Sequence, residues 1–324
     1  MDSLIKIIKI IEIIKSFKEY KTAIFFNGGK DSIVLLDLIK RAYNDISTIP
    51  IIYVEKSDEF PEMLEFIESL GLTNIIKTHD MKDTIKALVN DYQITHVFTG
   101  IRSTDPYGKK TSLIQKTDSD WPQVLLVNPL IDWTYHDIWI YIFDRDLEYC
   151  ELYDQGYTSL GQIGNTFKNS LLFDHIKKVY LPAYKLKDGK DERNGRIKYT
   201  LPLVLEGEVI HGQKNGKSIG FPTANISINS NTKLDYGVYY GLLDFNGEIK
   251  KFVMSYGQNT LYFNSKYTTL ELHILDLITE DFYGKILKFE IKGFIRNMEN
   301  LVTVPELICA INKDIDIAIY NLTI

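Results

Sequence analysis

The chain has 324 residues, 45% of them hydrophobic and 25% charged, and carries a formal net charge of −6. That length exceeds one typical domain and predicts two, each with enough apolar material for its own core. The acidic balance argues against a nucleic-acid surface, and two cysteines without metal-ligand spacing point to a reduced, cytoplasmic protein.

The first element is MDSLIKIIKIIEIIKSFKEY (1–20), in which Lys6, Lys9, Glu12, Lys15 and Lys18 form one polar stripe on an otherwise apolar pattern. Its apolar runs fall well short of the roughly 20 residues a membrane span needs, and it lacks the continuous apolar core and cleavage site of a signal peptide. It reads as an amphipathic helix packed on the first domain, with a membrane-surface or targeting helix as the alternative.

From residue 22 to about 145, short apolar strands alternate with helical patterns. AIFF (23–26) precedes a helix at 31–43, and IPIIYV (49–54) precedes one beginning near Phe60-Pro61-Glu62. NIIKT (74–78) precedes a helix at 81–91, and HVFTG (96–100) ends in a loop. This rhythm predicts an α/β domain with a mostly parallel, doubly wound sheet. Ligands of such sheets bind beyond the carboxyl ends of the strands, where loops 27–31, 55–60 and 100–108 would converge.

The loop Asn27-Gly28-Gly29-Lys30-Asp31-Ser32 joins the first strand to its helix. Its glycines let the backbone turn N–H groups towards an anion, the helix start adds a positive dipole end, and Lys30 adds a full charge. Asp31 would oppose a bare phosphate but could hold a Mg²⁺ ion that bridges phosphates. A tight Gly-Gly turn with no ligand fits the same residues, so the loop by itself leaves both readings open.

After about residue 200 the rhythm changes. LVLEGEVIHG (203–212), GVYYGLLDF (237–245), KFVMSYG (251–257), TTLELHIL (268–275) and KILKFEIKGFI (285–295) are strand-like, and helical pattern returns only at 304–319. A small β-barrel with a C-terminal helix is predicted. The charged, Gly-containing stretch KLKDGKDERNGRIKYT (185–200) sets the expected boundary, giving domains 1–196 and 197–324. GQKNGKS (212–218) is one residue short of a Walker loop and lacks the strand-to-long-helix junction such a loop requires.

Four further segments bear on the first domain: GIRSTDPYG (100–108), VNPLIDWTYHDIW (127–139), YCELYDQGYTSLGQIGNT (149–166) and PAYKLKDGKDERNGR (182–196). Together with NGGKDS and Phe60-Pro61-Glu62, over about residues 20–196, they resemble the FMN adenylyltransferases, or FAD synthetases, whose fold is that of the ATP pyrophosphatases and PAPS reductases. The resemblance implies transfer of AMP from ATP to FMN, giving FAD and pyrophosphate. It casts Asn27, Gly28, Gly29 and Ser32 as the pyrophosphate loop and Lys30, Arg102, Arg193 and Arg196 as charge-neutralising cations. Asp31 and Asp105 become Mg²⁺ or ribose partners, Asp132 an acceptor for the isoalloxazine N–H, and Trp133 either a stacking platform or a core residue. FKNSL (167–171) departs from the family's usual Pro-Asn-Pro. Sulfonucleotide reductases share the loop, but their Glu-Cys-Gly thiol segment is absent.

In the second domain, GEVIHGQKNGKSIGFPTANI (207–226), GVYYG (237–241), TLELHI (269–274), DFYG (281–284) and FIR (294–296) resemble, in order, the riboflavin kinases over about residues 200–320. That implies Thr223 and Asn225 on Mg²⁺ and the ATP phosphates, and Glu271 as the base that accepts the ribityl hydroxyl proton. Gly216, Lys217 and Gly220 would belong to a loop closing over phosphates, and Arg296 to the nucleotide flap. The departures are Gly216-Lys217 for Gly-Arg, Asn259-Thr260 for Asn-Pro and Arg296-Asn297-Met298 for Arg-Pro-Glu. The combined expectation is a bifunctional enzyme of FAD biosynthesis that uses ATP and Mg²⁺, with riboflavin, FMN and ATP as small-molecule substrates. No nucleic acid, membrane or obligate protein partner is expected. The alternatives are a chain with one active domain, or a reductase-like fold with an accessory flavin-binding barrel.

Overall fold

The structure, a computed structural model, describes residues 2–106, 108, 111–212, 215–228, 232–258, 268–276, 278, 280–301 and 303–323. Two compact units divide the chain: Met1–Tyr153 with Lys187–Lys190, and Asp154–Leu186 with Asp191–Ile324. The segment 154–186, which carries part of the adenylyltransferase-like motifs, is thus compact with the second unit.

The first unit opens with α1 (Asp2–Lys15), followed by β1 (Thr22–Phe26), α2 (Lys30–Tyr43), β2 (Ile51–Val54), α3 (Pro61–Ser69), β3 (Ile75–Thr78), α4 (Met81–Tyr92) and β4 (His96–Phe98). It continues through β5 (Ile114–Lys116), β6 (Leu125–Val127) and α5 (Tyr135–Asp144). The strands form one sheet in the order β3-β2-β1-β4-β6-β5, parallel except where β5 runs against β6. Continuous apolar runs such as Ile51-Ile52-Tyr53 and His96-Val97-Phe98 are buried on both faces, as strands covered by helices must be. Ile7, Ile10 and Ile14 of α1 recur on one helical face and are buried, α1 packs against α2, and Lys6 reaches Asp137 at 3.0 Å. That is the amphipathic packing expected of the N-terminal stretch. Chain order reverses at β1, so β1 and β4 flank a topological switch point.

In the second unit a short hairpin, β7 (Phe173–Asp174) and β8 (Val179–Tyr180), precedes β9 (Leu203–Ile210), α6 (Asn215–Ser218), β10 (Ala224–Ser227), β11 (Gly237–Phe245), β12 (Glu248–Gln258), β13 (Thr268–Ile274), β14 (Ile286–Asn297) and α7 (Val304–Asn321). Strands β9 to β14 close into an antiparallel barrel in the order β10-β13-β12-β11-β14-β9, which leaves no open edge among them. Tyr239, Phe252, Met254, Leu272, Phe289 and Ile291 fill its interior. α7 starts with a capping box, Thr303 with Glu306, and Pro305 in its first turn. Tyr107 and Asn259-Thr260 lie outside the described residues. No helix among the described residues is long and apolar enough to cross a membrane.

Candidate functional sites

The loop after β1 and the loop after β4 meet at the switch point. Gly28 takes φ +70°, and a Cβ there would stand 2.4 Å from the Met63 sulfur of α3, so the turn needs glycine on both counts. Gly100 fills the same need after β4, where a Cβ would lie 3.3 Å from the Asp31 carbonyl carbon. This close approach brings Arg102 to Asp31, Nε to Oδ1 at 2.6 Å, while Lys30 Nζ holds Oδ2 at 2.9 Å. Asp105 completes the cluster: its carboxylate accepts the Arg102 backbone N–H at 2.9 Å and lies 3.7 Å from the guanidinium. Lys30 and Arg102 are 2% and 0% exposed, so these charges operate in a weakly screened setting. Burial raises the Asp31 pKa, but the Lys30 and Arg102 charges outweigh it and the net shift is downward.

Two loop amides expected to face an anion are engaged within the chain. Gly29 N–H donates to Asn27 Oδ1 at 3.0 Å, and Lys30 N–H donates to the Tyr153 hydroxyl at 3.1 Å. Ser32 Oγ donates back to the Gly29 carbonyl at 2.8 Å. Lys30 and Arg102 are matched in this corner by Asp31 and Asp105, so its remaining positive character comes from the start of α2. Because both Asp31 oxygens are held by cations, a Mg²⁺ ion at Asp31 would have to displace one of them. The sequence reading passed over Tyr135 and Tyr153, whose rings lie 5.2 and 6.0 Å from Lys30 Nζ. Both sit inside segments already singled out as distinctive, which was the only available signal.

Asp132 is exposed just ahead of α5, whereas Trp133 is buried at 4% exposure with its ring edge-on to Tyr141. The core reading of Trp133 is the one this packing matches. Arg193 and Arg196 belong to the second unit. Arg193 is exposed, while Arg196 donates to the Leu160 carbonyl at 3.0 Å and to Asn165 Oδ1 at 3.3 Å. The 185–200 stretch is thus no solvated linker at Arg196.

On the barrel, Thr223 immediately precedes β10 and Asn225 is the second residue of that strand, and both meet Glu271. Asn225 pairs in register with Glu271 of β13, and the Thr223 hydroxyl donates to Glu271 Oε2 at 3.3 Å. Burial raises the Glu271 pKa, and the Thr223 hydrogen bond opposes that shift only in part. Gly212 leaves room for the Asn225 amide, and Gly216 of α6 lies against Thr223. Lys217 is exposed, Gly220 turns with φ +91°, and the Phe221 N–H closes the loop onto the Gly216 carbonyl at 2.8 Å. His273 Nδ1 lies 2.8 Å from the Pro222 carbonyl, a bracing contact. A hydroxyl and an amide, with Glu271 the one carboxylate beside them, suit a Mg²⁺ ion that takes its remaining ligands from nucleotide phosphates; no group of three or more His, Cys, Asp or Glu side chains among the described residues could hold a metal alone. Arg296 is engaged elsewhere, in a two-pronged pair with the buried Asp314 of α7 at 2.8 Å for each contact. Of the two cysteines, Cys150 is buried, which pushes its pKa up to about 11, and Cys309 is exposed.

Comparison with known proteins agrees with this two-part division of chemistry. The family model for the phosphoadenosine phosphosulfate reductase domain matches residues 21–72 and 70–168, and that for riboflavin kinase matches 199–322. A probable FAD synthase of Schizosaccharomyces pombe is 38% identical over 190 residues, covering 54% of this chain and 71% of that one. Human riboflavin kinase is 38% identical over 122 residues, covering 36% of this chain and 78% of that one. The chain belongs to the FAD synthase and riboflavin kinase families. The crystal structure of Candida glabrata FMN adenylyltransferase in complex with ATP superposes with a TM-score of 0.52 at 25% identity, covering 61% of this chain and 90% of that chain.

Proposed function

We propose that this chain is a bifunctional enzyme of FAD biosynthesis. Residues 197–324 phosphorylate riboflavin with ATP to FMN, and residues 1–196 transfer AMP from a second ATP to FMN, releasing pyrophosphate. The observation that carries the reading is the presence in one chain of two separate phosphate-directed clusters, Lys30-Asp31-Arg102 and Thr223-Asn225-Glu271. The first lies within the residues matched by the phosphoadenosine phosphosulfate reductase domain model, and the second within those matched by the riboflavin kinase model.

In the kinase reaction Glu271 accepts the ribityl hydroxyl proton as the γ-phosphoryl group moves; its raised pKa makes it a stronger base than an ordinary carboxylate. Thr223 and Asn225 are assigned to Mg²⁺, which when bound neutralises phosphate charge. Gly216, Lys217 and Gly220 close over the nucleotide. In adenylyl transfer the phosphate of FMN is itself the nucleophile, so the protein's work is positioning and charge neutralisation. Lys30 and Arg102, aligned by Asp31, face the leaving pyrophosphate, and Arg193 and Arg196 supply further cations. Asp132 reads the flavin edge. A cytoplasmic location belongs to the same reading and is supported by the two unpaired cysteines.

Incubating the protein with riboflavin, ATP and Mg²⁺ and resolving the products tests both halves. The expected result is FMN appearing first and FAD after it. FMN that accumulates without FAD would overturn the adenylyltransferase assignment, and FAD formed only from added FMN would overturn the kinase assignment.

A further inference from the structure

The hairpin β7–β8 lies between the two regions matched by the family models, yet within the second unit it is built onto the last helix of the kinase fold. Phe173 and Tyr180, one from each hairpin strand, bracket Tyr320 of α7 with ring centroids 5.4 and 5.5 Å away. Asp316 of α7 receives His175 at 3.2 Å and Lys178 at 2.5 Å, and Asn321 donates to the Tyr180 hydroxyl at 3.3 Å. Lys168 enters the same aromatic group. Its ammonium lies 5.3 Å from the ring of Tyr180, 5.5 Å from Tyr320 and 5.9 Å from Tyr157, and no carboxylate among the described residues pairs with it. The cage of rings is what holds this cation in place.

Lys168 stands in FKNSL, where a proline was expected, and its two neighbours grip the arginine loop. Phe167 N–H donates to the Gly195 carbonyl at 2.7 Å. The Asn169 amide, fully buried, donates to the Asp191 carbonyl at 2.9 Å and to Thr158 Oγ1 at 3.0 Å, and Thr158 in turn donates to the Glu192 carbonyl at 2.6 Å. Thr166 bridges to Arg196. The Asp191 and Gly195 carbonyls, on either side of Arg193, are therefore held by the segment on which Lys168 sits.

We infer that α7 of the kinase fold positions the arginine loop used in adenylyl transfer, acting through Tyr320, the hairpin and the caged Lys168. Tyr320, Asp316 and Lys168 are positioning residues; none of them meets substrate. The same helix packs on the barrel strands β11, β12 and β14 and pairs Asp314 with Arg296 there, so its two sides meet different parts of the unit. The inference rests on the assignment of Arg193 and Arg196 to adenylyl transfer.

The test uses the full chain and measures two rates on each preparation, riboflavin to FMN and added FMN to FAD. Tyr320→Ala and Lys168→Met should lower kcat for FAD formation by roughly ten- to a hundred-fold, the scale of a small misplacement near the reacting groups, while riboflavin phosphorylation stays at the wild-type rate. Tyr320→Phe keeps the ring and should retain both rates. An unchanged FAD rate in both of the first two variants overturns the inference, and so does a parallel fall in the two activities, which would mark a general packing defect. Arg193→Ala is the reference: should it leave FAD formation intact, the assignment of that arginine fails first, and the inference with it.

Discussion

In the first unit, Lys30, Asp31, Arg102 and Asp105 gather four formal charges at one switch point, two of them on almost wholly buried side chains. In the second, Thr223, Asn225 and Glu271 gather only one, and that carboxylate is answered by a hydroxyl rather than by a cation. On the roles proposed above, the difference follows the chemistry asked of each. A site that brings two phosphate groups together must supply positive charge, and it holds that charge in place with carboxylates. A site that removes a proton from an alcohol needs a basic carboxylate, which a nearby lysine or arginine would weaken.

The sharpest way to separate the two is Glu271→Gln. It keeps the shape but removes the base, so FMN formation should fall by about 10²- to 10⁴-fold while conversion of added FMN to FAD is retained. Asp31→Ala should do the reverse to the activities. It also removes the carboxylate that the buried Lys30 and Arg102 share, at a cost of about 3–5 kcal/mol to the first unit, read by denaturant titration. Gly28→Ala acts on the backbone beneath the same cluster. The left-handed φ alone costs about 1–2 kcal/mol, and the clash with Met63 adds to it, so the first unit should melt earlier.

The smallest effect, in pH, tests the electrostatic contrast itself. On the proposed roles, phosphorylation uses ionised Glu271, whose pKa is raised, so its acid limb should lie above the ordinary glutamate range. Adenylyl transfer on the same reading uses ionised Asp31, whose pKa is lowered, so that group stays charged until pH falls below the ordinary aspartate range. On acidification, the kinase rate of one preparation should therefore decline before the adenylyl transfer rate. The opposite order would contradict the charge assignment at both clusters.

Much of the scaffold could be read before any coordinates. Ala23-Ile24-Phe25-Phe26 followed by Asn27-Gly28-Gly29 marks a buried strand turning into a helix, because apolar continuity and glycine sterics act within a few residues. The Thr-x-Asn spacing of Thr223 and Asn225 is equally local, since the two lie at the entry to one short strand. Less legible were β5, β6 and the hairpin at Phe173–Tyr180, strands of two or three residues whose runs are too short to show a period. Arg296 was legible as a charged residue at a strand end, but its partner Asp314 lies on another element.

What the amino-acid order determined alone is therefore the local grammar: an α/β half, a barrel half, a glycine-rich turn and a Thr-x-Asn pair. Only the tertiary structure decided which charges meet. Thr223 finds Glu271 across 48 residues of chain, and Lys30 finds the Tyr153 hydroxyl across 123. Such pairings are selected by the cost of burying a polar group without a partner, and that cost arises only once distant segments have packed together.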